Sequence, residues 1–303
     1  MKEYSIPRRI WRIINPLLIY LGITVAVGLI LGIILSVTLA AQTLLGGEVI
    51  DVVDVATEMQ RITIEYAMPI MIVGNIAVLA AFVPMWLRAR KRLETHKNLQ
   101  PAINYGLTVG LFAGFNLLLV CLLAILDSAF DLMSYFPSYE GLNDIFTGGS
   151  FIIQLLSLAI AAPIVEELCF RGVLMERMRW MPVWASLLIQ ALMFGIAHLN
   201  LFQGSYAFVL GIILGLVYIK FRSIVLVIVG HASFNLASVL QSYLSEETSL
   251  LVILIPGLAL TAVCAVFMIK RPPAYTEAGV GAIAGEGEFE NINRPERDND
   301  ARY

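Results

Sequence analysis

Ala162-Pro163-Ile164-Val165-Glu166-Glu167-Leu168-Cys169-Phe170-Arg171-Gly172 places two adjacent carboxylates and a guanidinium at the end of an apolar run. In a soluble helix this would be ordinary. Inside lipid each such charge costs about 2.5–3.5 kcal/mol on insertion scales, so each needs a partner or a function. The composition decides which case applies. Of 303 residues, 59% are hydrophobic and only 14% charged, and the mean hydropathy is +0.82. These values lie well outside soluble usage, in the direction of a polytopic membrane protein.

With ~20 apolar residues per crossing of a ~30 Å hydrocarbon layer, the chain divides into eight expected spans. They lie near residues 16 to 42, 63 to 87, 105 to 126, 150 to 176, 182 to 199, 205 to 219, 223 to 243 and 249 to 269, the fourth long and the sixth short. The expected fold is all-α: a bundle of about eight transmembrane helices over 16–271, with a polar intramembrane cavity. A basic segment, 1–15, precedes it. After Pro272-Pro273 a Gly-rich acidic tail, 272–303, has too few large apolar residues to bury a core and is predicted to be disordered.

Charge sets the expected orientation, because cytoplasmic loops carry the excess of Lys and Arg. Lys2, Arg8, Arg9 and Arg12 precede the first span, and Arg88, Arg90, Lys91, Arg92 and Lys97 follow the second. Arg177 and Arg179, Lys220 and Arg222, and Lys270 and Arg271 fall on the same side if there are eight crossings. Glu48, Asp51, Asp54 and Glu58, then Asp127, Asp131, Glu140 and Asp144, then Glu246 and Glu247 mark the other side, where Arg61 is the one nearby base. The protein is thus expected in a cell membrane, multi-pass, with both termini cytoplasmic.

A net charge of -3 with dispersed basic clusters argues against a nucleic-acid partner. Cys121, Cys169 and Cys264 lie in apolar segments without metal-knuckle or disulfide spacing and read as packing residues. The N-terminal apolar run is longer than a signal-peptide core and reads as a retained helix. Gly28-x-x-x-Gly32 and Gly211-x-x-x-Gly215 read as close helix contacts. There is no phosphate-binding loop, no G-x-S-x-G and no H-E-x-x-H.

Of three histidines, His96, His198 and His231, two fall in expected spans. A lone membrane histidine more often ties helices together than binds a ligand; two with a carboxylate pair in neighbouring spans point to a site. Glu167 and Arg171 share a helix face and suit an ion pair, whereas Glu166 is turned ~100° away. Glu166 is therefore the carboxylate free to exchange a proton. Phe194 with His198, and His231 with Asn235, are likewise four apart. If the fourth helix continues to Arg177 and Arg179, Glu166 stands ~18 Å above the inner interface, His231 ~12 Å and His198 ~22 Å. At these depths the groups can meet. The same residues also suit a non-catalytic transporter or scaffold, with a buried Glu-Arg pair and two packing histidines.

Glu166-Glu167-x-x-x-Arg171, Phe194-x-x-x-His198 and His231-x-x-x-Asn235, in this order over 163–235, resemble the three motifs of the CPBP intramembrane proteases. That group includes the type II CAAX prenyl endopeptidases and Abi proteins, and Phe170, Gly172 and Leu199 extend the likeness. The resemblance implies an endopeptidase with a polar cavity open to the cytoplasm or to lipid, acting on a membrane-embedded or lipid-anchored peptide or protein; prenylated CAAX termini are one such class. It implies that Glu166 activates water with His198 assisting, that His231 and Asn235 contact the water, a metal or the oxyanion, and that Glu167, Arg171 and Phe194 support the site. Hydrolysis needs a deprotonated water and oxyanion donors. A Glu/His pair meets the first need. Alternatively Glu166, His198 and His231 make a zinc-like three-ligand set for one divalent metal ion, so a glutamate- and a metal-dependent mechanism both remain open.

Overall fold

The computed structural model describes residues 5–46, 52–90, 100–244 and 248–273. His96, the basic residues 91, 92 and 97, the acidic residues 48, 51, 246 and 247, and the tail beyond Pro273 lie outside them. The described chain is all-helical: α1 (Ile6–Gly46), α2 (Val52–Arg90), α3 (Ala102–Phe130), α4 (Pro137–Thr147), α5 (Phe151–Met175), α6 (Val183–Ala197), α7 (Leu201–Phe221), α8 (Ile224–Gln241) and α9 (Leu250–Lys270). A single 3-10 turn, Leu132–Tyr135, joins α3 to α4.

Seven of these helices are long and apolar enough to cross a membrane, and the protein is a multi-pass membrane protein. All eight expected spans are helices, but the fifth, α6, has 15 residues, or ~22 Å, less than the hydrocarbon thickness. Pro182 starts it, and Leu199, with φ 53, turns the chain immediately after it. The sixth expected span is not short: α7 has 21 residues and starts at Leu201, four residues before the expected start, because Asn200 caps it, accepting from the Gln203 N–H at 3.0 Å. The first begins at Ile6, not near 16, and Pro16 sits inside it.

Burial separates an inner from an outer layer. Among the crossing helices, 44% of the most apolar window is buried in α5, α7 and α8, against 11% in α1 and α9. The large side chains Phe82, Phe112, Phe170, Phe194, Phe221 and Leu214 make the centre of the core. α3 is held between α8 and α9, α6 lies on α7, and α1 pairs with α2. The apolar faces of α1 and α9 that point outward face lipid, which is as good a solvent for them as the core.

Gly211 and Gly215 keep their expected role. A Cβ at Gly211 would stand 3.1 Å from the Ala191 Cα, and one at Gly215 would strike Leu187 and Gln190. Gly28 and Gly32 do not: a Cβ at either meets nothing within 4 Å. The spacing is the same, but α2 stands away from this face of α1, and both glycines line a cavity.

Candidate active site

The site is built on a helix whose hydrogen-bond register changes twice. Along α5, a π-helical stretch Leu155–Ala161 gives way to an α-helical turn, Ala162–Glu167, and then to a second π-helical stretch, Leu168–Met175. Pro163 has no N–H to offer the carbonyl four residues back, and the wider i→i+5 register upstream absorbs the loss. Such π-bulges recur at functional sites because they re-aim side chains. Here they bracket Glu166 and Glu167.

Glu167 and Arg171 are both fully buried, and Arg171 Nη1 donates to Glu167 Oε1 at 2.7 Å. Arg171 Nη2 donates to the Gly211 carbonyl at 2.9 Å, which also accepts from Gln190 Nε2 at 2.9 Å. The guanidinium stands 5.0 Å from the centre of the Phe194 ring. Glu167 is not reserved for Arg171, as helical spacing alone suggests. Its Oε1 also bonds His231 Nδ1 at 2.9 Å. An ionised carboxylate only accepts, so this contact assigns a proton to Nδ1; in a neutral imidazole Nε2 is then the lone pair.

That lone pair faces Glu166. His231 Nε2 lies 3.7 Å from Glu166 Oε2, too long for a good hydrogen bond. Glu166 is 12% exposed through its side chain, against 0% for Glu167. Its other oxygen, Oε1, accepts from the Tyr20 hydroxyl on α1 at 3.5 Å. Nothing in the sequence distinguishes Tyr20, which is 146 positions away and outside every motif. Its ring packs edge-on against Phe170 at 6.1 Å.

His198 caps the C-terminal end of α6. Its Nδ1 bonds the Phe194 carbonyl at 2.8 Å. Phe194 is the hinge pin of the arrangement: its fully buried ring meets His198 at 5.0 Å and His231 at 5.7 Å, both edge-on. Arg171, His198 and His231 thus stand around the Phe194 ring, and Glu166 and Glu167 meet His231. Asn235 has a partner of its own. Its Nδ2 donates to the Leu158 carbonyl at 2.8 Å, inside the upstream π-helical stretch, so it ties α8 to α5.

Among the described residues, no three His, Cys, Asp or Glu side chains are gathered as a metal-ligand set. A divalent ion on Glu166, His198 and His231 would require this constellation to rearrange. Outside the spans, Arg177 anchors the end of α5 to α1 through the Arg12 carbonyl at 3.1 Å and Asn15 Oδ1 at 3.3 Å. Burial, then the neighbouring Arg12 charge, lowers its pKa from the ordinary guanidinium value.

A cavity of about 660 Å³ opens on Glu166, Tyr20 and Ala162 and continues between α1 and α2. Glu166, the one glutamate of the pair that is not enclosed, lines it. Residues 148–237 are similar to the family described as "Rce1-like: Type II CAAX prenyl endopeptidase Rce1-like", a match to less than a third of the chain. No curated protein and no solved structure matches.

Proposed function

Because residues 148–237 belong to the CPBP/CAAX protease family, we propose that the chain is an intramembrane endopeptidase that cleaves a membrane-embedded or lipid-anchored peptide with a water activated by Glu166. The observation that carries this reading is the 3.7 Å separation of Glu166 Oε2 and His231 Nε2, with Glu166 in the wall of the cavity. A water between them is bracketed by two acceptors. Its oxygen attacks the scissile carbonyl carbon as Glu166 takes one proton, while the hydrogen that stays on oxygen donates to His231 Nε2, which orients the lone pair. Glu167 keeps the proton on His231 Nδ1, as a carboxylate does for a catalytic histidine elsewhere. His198, when charged, donates from Nε2 to the oxyanion. Glu166 then passes its proton to the leaving amine as the C–N bond breaks.

Separate substitutions of Glu166→Gln, His198→Ala and His231→Ala test this with lipid-anchored fluorogenic peptides in liposomes. General acid–base catalysis is worth about 10²–10⁴-fold, so Glu166→Gln is expected to remove at least about 100-fold of the rate while the protein still folds. Cleavage persisting through all three changes sinks the site. Transport or partner binding that responds to these changes, with no peptide cleaved, favours the non-catalytic transporter or scaffold. The glutamate- and metal-dependent forms separate on elemental analysis and chelation: full activity without bound metal is the expected outcome, and activity that follows one divalent ion through removal and re-addition reverses it.

A further inference from the structure

One backbone oxygen joins three helices. The Gly211 carbonyl of α7 accepts from Arg171 Nη2 of α5 and from Gln190 Nε2 of α6, both at 2.9 Å. It is also part of the α7 ladder, in which the N–H four residues on belongs to Gly215. An ordinary side chain at 215 would lie over the turn before it and cover that oxygen. A Cβ there would stand 2.8 Å from Gln190 Nε2. Gly215 therefore uncovers the carbonyl, and Gly211 lets α6 come close enough to use it: a Cβ at 211 would be 3.1 Å from the Ala191 Cα and 3.2 Å from Phe194 Cδ1.

Gln190 is fully buried. Its Nε2 has a second acceptor in the Leu187 carbonyl at 3.1 Å, and its Oε1 has no partner among the described residues. A buried acceptor without a donor destabilises the folded protein, so packing alone favours an apolar residue at this position. Gln190, Phe194 and His198 follow one another at intervals of four and share one face of α6. The Phe194 ring lies 5.0 Å from the Arg171 guanidinium, and the Phe194 carbonyl holds His198 Nδ1 at 2.8 Å. Farther along, α6 and α7 touch again through bare backbone: a Cβ at Gly195 would stand 2.7 Å from the Gly204 carbonyl oxygen. Glycine contacts set how near two helices come, but offer little to resist rotation of one on the other. Among the described residues, the bond from Gln190 to Gly211 is the one side-chain hydrogen bond that joins α6 to another helix.

We propose that Gln190 is a positioning residue for the hydrolysis: through the Gly211 carbonyl it fixes the rotation of α6 against α5 and α7, and with it where His198 stands relative to Glu166 and His231. Arg171 uses the same oxygen, so the helix of the carboxylates and the helix of His198 are both referred to a single atom. With side chains an α-helix is ~10–12 Å across, so a ring at its surface moves ~1 Å for a rotation of roughly 10°. Misplacement on that scale can cost ~10²-fold in rate. The assignment rests on His198 acting in the proposed hydrolysis.

Gln190→Leu nearly keeps the volume while removing both the tie and the unpaired oxygen. In the full-length protein in liposomes it is expected to melt at or above the wild-type temperature. With the lipid-anchored fluorogenic peptide, kcat is expected to fall about tenfold to a hundredfold and KM to stay within about twofold. In a His198→Ala background Gln190→Leu is expected to lower the remaining rate no further, because the two residues act on one step. A second readout needs no cleavage. The chain has three histidines, and nuclear magnetic resonance of ring-labelled histidine is expected to show the His198 signals, identified by their loss in His198→Ala, moving in Gln190→Leu while those of His231 stay in place. Gln190→Met is the second variant should Gln190→Leu fail to fold. A lowered melt with kcat and the His198 signals unchanged makes Gln190 a structural residue and overturns the proposal, as does an undiminished further loss of rate in the His198→Ala background. Cleavage that survives Glu166→Gln, with the His198 signals still moved by Gln190→Leu, places the failure in the reading of the reaction and upholds the tie between Gln190 and α6.

Discussion

Glu166 and Glu167 are neighbours in sequence with opposite physical circumstances. Glu167 is enclosed, and its Oε1 serves both Arg171 and His231; Glu166 faces the cavity. Glu167→Gln leaves Arg171 buried without its counter-charge. Breaking such a pair costs about 3–5 kcal/mol, so this variant is expected to melt at a markedly lower temperature, whereas Glu166→Gln melts close to wild type. If the two variants melt alike, the division between a supporting and a reacting glutamate is wrong. Tyr20→Phe removes one long hydrogen bond to Glu166 and is expected to lower kcat/KM by at most about tenfold, the scale of one net hydrogen bond, without changing the melt. A loss as large as that of Glu166→Gln would instead put the Tyr20 hydroxyl on the reacting atoms.

At the scale of the element, α5 carries the reacting carboxylate because it is not a uniform helix. Its two π-helical stretches free carbonyls from the i→i+4 ladder, and one of them, Leu158, holds Asn235 of α8. Pro163 enforces the change of register. Pro163→Ala returns an N–H and a helix-favouring residue worth up to about 3 kcal/mol in a helix interior. The expected outcome is a higher melting temperature with reduced cleavage, because a straightened α5 turns Glu166 away from His231 Nε2. Raised stability with undiminished cleavage would show that the π-helical register does not aim Glu166. α6 behaves differently: its 15 residues and the positive φ of Leu199 fix where His198 stands, at an end and not within a crossing.

For the whole molecule, the short α6 bears on topology. If it counts as a crossing there are eight, and the basic loops fall on one side, as the charge distribution requires; if it does not, seven long helices put the termini on opposite sides. We expect reporter fusions at both ends to be cytoplasmic. A C-terminal reporter active only outside the cell reverses this and makes α6 a re-entrant segment. α1 and α2 part along one face, and the cavity between them reaches Glu166 without a separate domain.

Class and candidate chemistry were legible in the chain itself. Apolar runs near 20 residues report a membrane bundle because the solvent imposes that length on every span. The polar residues Glu166, Glu167, Arg171, His198 and His231 stand out because lipid makes each one costly. Helical spacing also pairs Glu167 with Arg171 correctly, that contact being local. The second partner of Glu167 on α8, the Tyr20 contact of Glu166, and the diversion of Asn235 to a π-helical carbonyl are contacts between distant helices, and no local period encodes them. The same limit explains Gly28 and Gly32. A small-residue spacing lets a neighbour come close, but only the packing of α2 against α1 decides whether one does, and here it leaves open space that reaches Glu166.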